Sequence, residues 1–233
     1  MKQIIHIIIP TLDRYQSLIQ TIKSLNINSN FRDFMIHVVV DGNKPYYKRL
    51  GNQNLPNTRL IFNPVRIGWG KSINMVIRLL EPRMIEEAIN ETPLFFSASD
   101  DLQFDSGTLG NALFDMNQHF PDGDGVIGIR QDLKHFCPAA FSLVGNKFVN
   151  RFPDRQLYNP IYDHFCVDSE LWHYALSEKK FFFSKNALVV HRRYQDDCHR
   201  LAQKTLKADR LKWWAKKGKP ELYWPKVKVV KNG

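Results

Sequence analysis

Phe95-Phe96-Ser97-Ala98-Ser99-Asp100-Asp101-Leu102-Gln103-Phe104 is an apolar run that ends in two adjacent carboxylates. A short apolar stretch bounded by polar turn residues has the pattern of a strand buried on both faces, as in the centre of a parallel sheet. Open α/β sheets bind their ligands at the carboxyl ends of such strands. Two like charges placed there read as a divalent cation site facing an anionic substrate, since hard cations take carboxylate oxygens. The plainer reading is an Asp-rich turn with Asp101 capping the next segment.

Outward from this stretch, the chain alternates strand and helix. Ile4–Pro10 is a β-branched run, and Leu18, Ile19, Ile22 and Leu25 then recur at helical spacing over Tyr15–Asn26. Phe34–Val40 is a second buried strand, closed by Asp41-Gly42-Asn43. This β-α-β order predicts parallel strands with right-handed crossovers. Leu60–Phe62 is a third strand, and Ile73, Val76, Ile77 and Leu80 mark a helix expected to stop near Pro82. Gly70-Lys71-Ser72 is not a phosphate-binding P-loop, because Val65 stands where the first glycine is required. Ser106 is placed to cap the helix carrying Leu109, Leu113 and Met116.

Past Pro121 the pattern is less regular. Val126–Ile129 and Ala140–Val144 read as strands, and Gln131–Pro138 as irregular. Asp168 sits where an N-cap would, ahead of the apolar face Leu171, Trp172, Ala175 and Leu176. Phe181–Phe183 and Ala187–Val190 read as two short strands, the second ending in His191. A polar helix over Asp197–Lys217 and an aromatic, basic coda through Trp224 follow.

Composition bounds the function. The chain has 233 residues, 43% of them hydrophobic, enough for one substantial core. No run of eighteen apolar residues occurs, so no transmembrane helix is expected. The first apolar run is too short for a signal peptide and contains His6. Cys137, Cys166 and Cys198 are odd in number and lack Cys-x-x-Cys spacing, which argues against a disulfide framework and a zinc ribbon. A cytoplasmic location is the expectation. Of the net charge of +10, residues 204–233 carry +8, from ten Lys/Arg against two Asp/Glu. The body is nearly neutral, and the basic character belongs to the C-terminal segment.

Several of these stations together resemble the GT-A fold glycosyltransferases, in particular the inverting family 2. Ile7-Ile8-Ile9-Pro10-Thr11-Leu12-Asp13-Arg14 is similar to their first strand and nucleotide loop. Val38-Val39-Val40-Asp41-Gly42 resembles their second strand, whose Asp contacts the nucleoside. Asn63 through Gly68 to Asn74 resembles their Asn…Gly…Asn segment, and Ser99-Asp100-Asp101 stands at their Asp-x-Asp metal motif. Asp168-Ser169-Glu170-Leu171 is similar to the helix start that carries their catalytic base. His191 matches a histidine that completes the metal site. The departures are Ser99 in place of the first motif Asp, Val167 in place of an acidic residue before the base, and no Gln-x-x-Arg-Trp helix. The last points to single addition rather than polymerisation.

The resemblance implies an α/β fold with a Rossmann-like, mixed but mainly parallel central sheet flanked by helices. Residues 1–193 would form the transferase domain, split near residue 104 into a nucleotide-sugar half and an acceptor half. Residues 194–233 would be a helical, basic and aromatic extension. It further implies an inverting transfer of sugar from a nucleotide-sugar, a UDP-sugar by expectation, to an acceptor hydroxyl. Mn2+ or Mg2+ would neutralise the departing diphosphate, with Asp101 as direct ligand, Asp100 supporting it toward ribose or metal waters, and His191 as a third contact. Asp168 would be the general base, with Glu170 its nearest rival. The donor contacts would be Pro10, Thr11, Arg14, Asp41, Asn63, Gly68, Lys71 and Asp100, and the acceptor side His164, Glu170 and Trp172.

The acceptor stays open among a glycan, a lipid-linked sugar, a protein and a modified base of viral DNA. The extension mixes cations and large aromatics at Lys212, Trp213, Trp214, Lys216 and Lys217. That pattern reads as nucleic-acid contact through phosphates and stacking, as an anionic membrane surface, or as Trp packed on the body with Lys in solvent. A non-catalytic nucleotide or nucleic-acid binding module is the alternative of another class.

Overall fold

β1 (Lys2–Thr11) is the strand about which the sheet is built. In the computed structural model, which describes residues 2–87, 91–132 and 137–224, Ile5, Ile7 and Ile9 enter one core and Ile8 the other. This is the two-residue period of a strand covered on both faces. β1 pairs in parallel with β2 (Phe34–Asp41) on one side and with β4 (Glu91–Ser97) on the other, and β3 (Thr58–Asn63) extends β2, also in parallel. α1 (Tyr15–Asn28) buries Leu18, Ile22 and Leu25 on one face. α3 (Trp69–Glu87) places Ile73, Val76 and Ile77 in the core of the other face.

The chain leaves β1 toward β2 and β3, then returns to β4 on β1's opposite edge. The loops that follow β1 and β4 therefore diverge and leave a crevice between them, the topological switch point of an open sheet. Asp100 and Asp101 stand there.

Beyond β4 the sheet turns mixed. β7 (Ser142–Gly145) and β6 (Val126–Gln131) add antiparallel strands, β8 (Phe181–His191) runs parallel to β6, and β5 (Leu102–Phe104) closes the far edge. The whole order is β3-β2-β1-β4-β7-β6-β8-β5. β5 pairs antiparallel with β8, with Leu102 opposite His191. That register brings the histidine beside Asp101.

Local expectations change in five places. α3 continues past Pro82, because one missing N–H interrupts a single helical bond without ending a helix whose other residues pack. α4 (Thr108–His119) is capped by Gly107 in the left-handed conformation, not by Ser106. The hydroxyl of Thr108 donates to the carbonyls of Asp105 and Leu188, which fixes this turn. The two short strands at Phe181 and Ala187 are one strand, β8, interrupted by a register shift. The polar helix over Asp197–Lys217 divides into α7 (Asp197–Gln203) and α8 (Leu206–Trp214). α2 (Lys44–Gly51) was not expected, although Asn43 caps it by accepting from Tyr46 N at 3.0 Å.

α5 (Asn146–Val149) and α6 (Val167–Ser177) complete the body. The segment after His191 shares its core: Trp213 and Tyr223 stack at 5.7 Å and join the cluster under α3 and α6. Pro225 and Lys226 of the coda, and residues 133–136 of the irregular stretch, lie outside the described residues.

Candidate active site

Asp41 ends β2 and is buried, and its carboxylate is held by hydrogen bonds while still lining the cavity. Asn63 Nδ2 donates to it at 2.8 Å, Ile67 N at 2.9 Å and Gly68 N at 2.8 Å. Gly68 has φ +94, and a Cβ there would lie 2.2 Å from the carbonyl oxygen of Asp163. The position therefore needs glycine twice over, for its backbone conformation and for the close approach. Trp69 donates from its indole to Ala98 O at 3.0 Å, tying this loop to the one after β4. Asp41 and Gly68 line a cavity of about 450 Å3, together with Pro10, Thr11 and Arg66. Asn63 reaches this cavity only through Asp41, and Lys71 pairs instead with Asp163 at 3.4 Å. Neither lines the cavity.

Asp100 and Asp101 line the same cavity. Ser17 and Thr21 of α1 donate to Asp100 O at 2.7 and 3.1 Å, and Arg192 N donates to Asp101 O at 3.0 Å. The turn is thus pinned from both sides. Thr11 donates to Asp100 Oδ2 at 2.6 Å. Asp101 Oδ1 accepts from the Ser99 hydroxyl and lies 3.2 Å from His191 Nε2. Arg14 Nη1 donates to both carboxylates, at 3.2 Å to Asp100 and 3.1 Å to Asp101. Burial and the neighbouring Asp101 raise the pKa of Asp100. Burial opposes ionisation of Asp101 as well, but His191, Ser99 and Arg14 outweigh it and hold this carboxyl below the usual range.

Two carboxylates and an imidazole on one cavity wall are chemically a donor set that could take a divalent cation, given further oxygens from outside the chain. Among the described residues, no three His, Cys, Asp or Glu side chains cluster closely enough to hold a metal unaided. Asp101, Asp100 and His191 are the groups that would hold one.

Asp168 also lines the cavity, from α6. The residue that caps α6 is Cys166, in the left-handed conformation, so Asp168 lies inside the first turn rather than at the N-cap. Its Oδ1 accepts from Ser169 N at 2.8 Å. Burial raises its pKa against that N–H and the Cys137 thiol, so it is a carboxylate whose charge is poorly solvated and whose basicity is enhanced.

Of the acceptor-side residues, His164 lines the cavity, while Glu170 and Trp172 do not. Residues two apart on a helix do not share a face, so Glu170 points away from Asp168. Glu170 is buried, accepting from Asn159 at 3.2 Å, Lys216 at 3.2 Å and Trp224 N at 2.6 Å. Trp172 packs edge-on to Phe181. His164 has its pKa lowered to about 4, by burial first and then by Arg66.

Sequence reasoning missed three contributions. Gln131, at the end of β6, lines the cavity, and its buried Nε2 has no hydrogen-bond partner among the described residues. The segment after His191 supplies Arg193, Tyr194, Cys198, His199, Ala202 and Gln203 to the wall. Asp209 of α8 is fully buried, and its carboxylate accepts from the backbone of Asp163 at 3.1 Å, His164 at 2.9 Å and Phe165 at 3.0 Å. Those N–H groups outweigh burial and lower its pKa. No local pattern marks these residues, because each acts across a long stretch of chain.

The tail residues separate. Trp213 is buried against Tyr223 and His173. Lys212 donates to Ile161 O at 2.7 Å and Lys216 to Glu170. Trp214 and Lys217 face solvent. Among the described residues no helix is long and apolar enough to cross a membrane.

No family model matches the sequence, and no curated protein matches it. Solved structures do match the fold. The mannosyltransferase PcManGT from Pyrobaculum calidifontis, in complex with GDP-Man and Mn2+, superposes with a TM-score of 0.62 at 13% identity, over 94% of this chain and 66% of that one. S. aureus TarS 1-349 in complex with UDP superposes at 0.56 with 16% identity, over 91% of this chain and 66% of that one. TarS 1-349 in complex with UDP-GlcNAc gives 0.53 at 15% identity, over 84% and 60%. This chain thus spans just under two thirds of the length of these neighbours. What it shares with them is architecture: the chain has the GT-A fold of glycosyltransferases.

Proposed function

We propose that this chain transfers a sugar from a nucleotide-sugar to an acceptor hydroxyl, with inversion at the anomeric carbon and with Mn2+ or Mg2+ as cofactor. The observation that carries this reading is the pairing of two kinds of carboxylate on one cavity: Asp100 and Asp101 at the switch point, and Asp168 on a separate helix. The neighbours solved with GDP-Man and Mn2+, with UDP and with UDP-GlcNAc support it.

In this mechanism Thr11, Asp41 and Arg66 take the nucleoside end of the donor. Asp101, Asp100 and His191 would hold the cation, which when bound would neutralise charge on the departing diphosphate. Arg14 meets the same phosphates as a planar cation. Gln131 offers its unpaired amide N–H to a sugar hydroxyl. Asp168 removes the acceptor proton as its oxygen attacks the anomeric carbon. The bond to the phosphate oxygen breaks as the new glycosidic bond forms, and the nucleoside diphosphate leaves.

A panel of UDP- and GDP-sugars, scored by thermal shift with and without Mn2+, identifies the donor. Release of nucleoside diphosphate then reports turnover. Asp168→Asn should lower kcat by about 10³-fold, within the span typical of general base catalysis, while donor binding stays intact. Unchanged turnover in that variant rules out Asp168 as the base, and donor binding with no turnover on any acceptor returns the chain to a binding module. Product anomeric configuration by NMR tests inversion.

The acceptor class is read from a comparison of glycans, lipid-linked sugars, protein and hydroxymethylated DNA. Lys207, Arg210 and Lys217 face solvent near exposed Trp214, which favours a polyanionic acceptor as the second reading. Binding to DNA should then weaken steeply with salt.

A further inference from the structure

Arg14 has two sets of partners. Its Nη1 reaches Asp100 at 3.2 Å and Asp101 at 3.1 Å. Its Nε and Nη2 grip Asp196 at 2.7 and 2.9 Å. The second contact is the better one: a bidentate, charge-assisted pair matched to the planar fork of guanidinium. Asp196 is itself fixed as the N-cap of α7, where its Oδ1 accepts from His199 N at 2.9 Å. Arg14 is therefore anchored from the C-terminal segment and only lightly held by the carboxylates it spans.

Positive charge is in deficit here, with three carboxylates around one guanidinium. A divalent cation at Asp100 and Asp101 would meet that deficit, but it would sit within a few ångströms of Nη1. Like charges that close in a largely buried site repel strongly. Both cations cannot hold the pair, and the weaker contact of Arg14 is the one that gives way. Because Asp196 keeps two edges of the guanidinium, the freed Nη1 stays on the cavity that Arg14 lines.

We propose that Arg14 is a resident counter-ion of the Asp100–Asp101 pair, which yields the pair to a divalent cation and turns to the donor diphosphate, with Asp196 as the positioning residue that holds it for both tasks. The proposal rests on the cation site described above. It adds a competitor inside the protein, and it assigns a role to the C-terminal segment at the donor phosphates.

Mn2+ binding is measured without nucleotide, by electron paramagnetic resonance of the free ion, on wild type, Arg14→Gln, Arg14→Lys and Asp196→Asn. UDP and GDP binding is measured by calorimetry on the same proteins in Mg2+. Arg14→Gln should bind Mn2+ about tenfold tighter and the preferred nucleoside diphosphate about tenfold weaker. Arg14→Lys should bind Mn2+ much as wild type does, because a cation remains. Asp196→Asn should weaken both, since the guanidinium is no longer drawn off the pair or held toward the phosphates. A residue that merely supports the fold would weaken both ligands in Arg14→Gln, and that result overturns the proposal. So does Mn2+ binding that Asp101→Asn abolishes but Arg14→Gln does not tighten, which leaves the metal assignment standing. Failure of every protein to bind Mn2+ overturns the proposal and the metal assignment together. If Arg14→Gln does not fold, Asp196→Asn decides: unchanged Mn2+ and nucleotide affinities overturn the proposal.

Discussion

The first strands of the molecule, within residues 2–104, and the segment after His191 both wall the same cavity, but by different means. The first does so with the ends of parallel strands, where Thr11, Asp41 and Asp100 follow from where β1, β2 and β4 stop. The second does so with residues such as Tyr194 and His199, and braces the wall with single side chains that reach back over long stretches of chain, Asp196 to Arg14 and Asp209 to the 163–165 backbone. The difference shows that a site built from strand ends is encoded locally, whereas a site finished by a terminal segment is encoded in pairings between distant residues. The two regions should therefore fail differently when altered.

The largest effect belongs to the strand-end region. Asp101→Asn removes one charge from a buried like-charged pair and leaves the shape unchanged. Transfer should fall by about 10³-fold, some 4 kcal/mol of transition-state stabilisation, with only a small fall in melting temperature from the lost contacts to His191 and Arg14. A large fall in melting temperature would show that Asp101 serves the fold instead. In the C-terminal segment the same kind of change should act the other way round. Trp213→Ala empties a buried aromatic site and should cost about 3 kcal/mol of stability, which for a chain of this size lowers the melting temperature by roughly 10 °C.

Asp209→Ala comes next and tests whether the segment reaches the site. It strips acceptors from three backbone N–H groups, and unsatisfied buried donors cost about 1–3 kcal/mol each before water enters. A net loss of about 2 kcal/mol is expected, together with faster amide exchange at residues 163–165 and unchanged exchange in β1 and β2. Protection retained at 163–165 would mean that the loop holds itself in place.

The contrast also explains what could be read in advance. The parallel strands, the switch-point carboxylates and the helix carrying Asp168 were legible because period-two runs, turn residues and amphipathic spacing are properties of short windows. His191 was legible as a strand end, although only the register of Leu102 opposite His191 brings it to Asp101. Glu170 shares the helix start with Asp168 but lies off the cavity, because a helix turns residues two apart onto different faces. β5 is three residues long and too short to show a period. Gln131, Asp196 and Asp209 leave no trace in a window, because their partners lie elsewhere.

Acid sensitivity should come from two buried histidines, with a smaller effect per group. Burial lowers the pKa of His6 to about 4, where it lies against His37 and Phe95, and that of His164 also to about 4. Unfolded histidine titrates near 6.5. The unfolded chain thus binds protons that the folded one refuses between pH 6.5 and 4. Stability is full above pH 6.5 and falls as pH drops through this window, by about 1.4 kcal/mol per unit for each histidine at most. His6→Phe should remove one proton from that slope in urea titrations at pH 5 and pH 7. An unchanged slope would show that His6 is protonated in the folded protein.

The smallest expected effect sharpens the comparison most. Trp213 and Trp214 are adjacent, yet Trp213 is 6% exposed and Trp214 is 62% exposed. α8 turns by about 100° per residue, so one ring enters the core with Tyr223 while the other is carried into solvent. Trp214→Ala should change stability by less than about 0.5 kcal/mol, as surface substitutions do, and should leave transfer to a small soluble acceptor unchanged. Trp214 shares α8 with exposed Lys207 and Arg210, with exposed Lys217 just beyond, a mix of ring and cations that suits an anionic surface. If that surface is DNA, Trp214→Ala should weaken DNA binding by about 1–3 kcal/mol, the range for one stacked base, with the salt dependence of the remaining binding unaltered. If it is an anionic membrane, the loss appears with vesicles and not with DNA. Loss with neither would leave the C-terminal segment as a structural clamp, which reaches the cavity through Arg193, Tyr194 and the residues of α7 and supports it through Asp196 and Asp209.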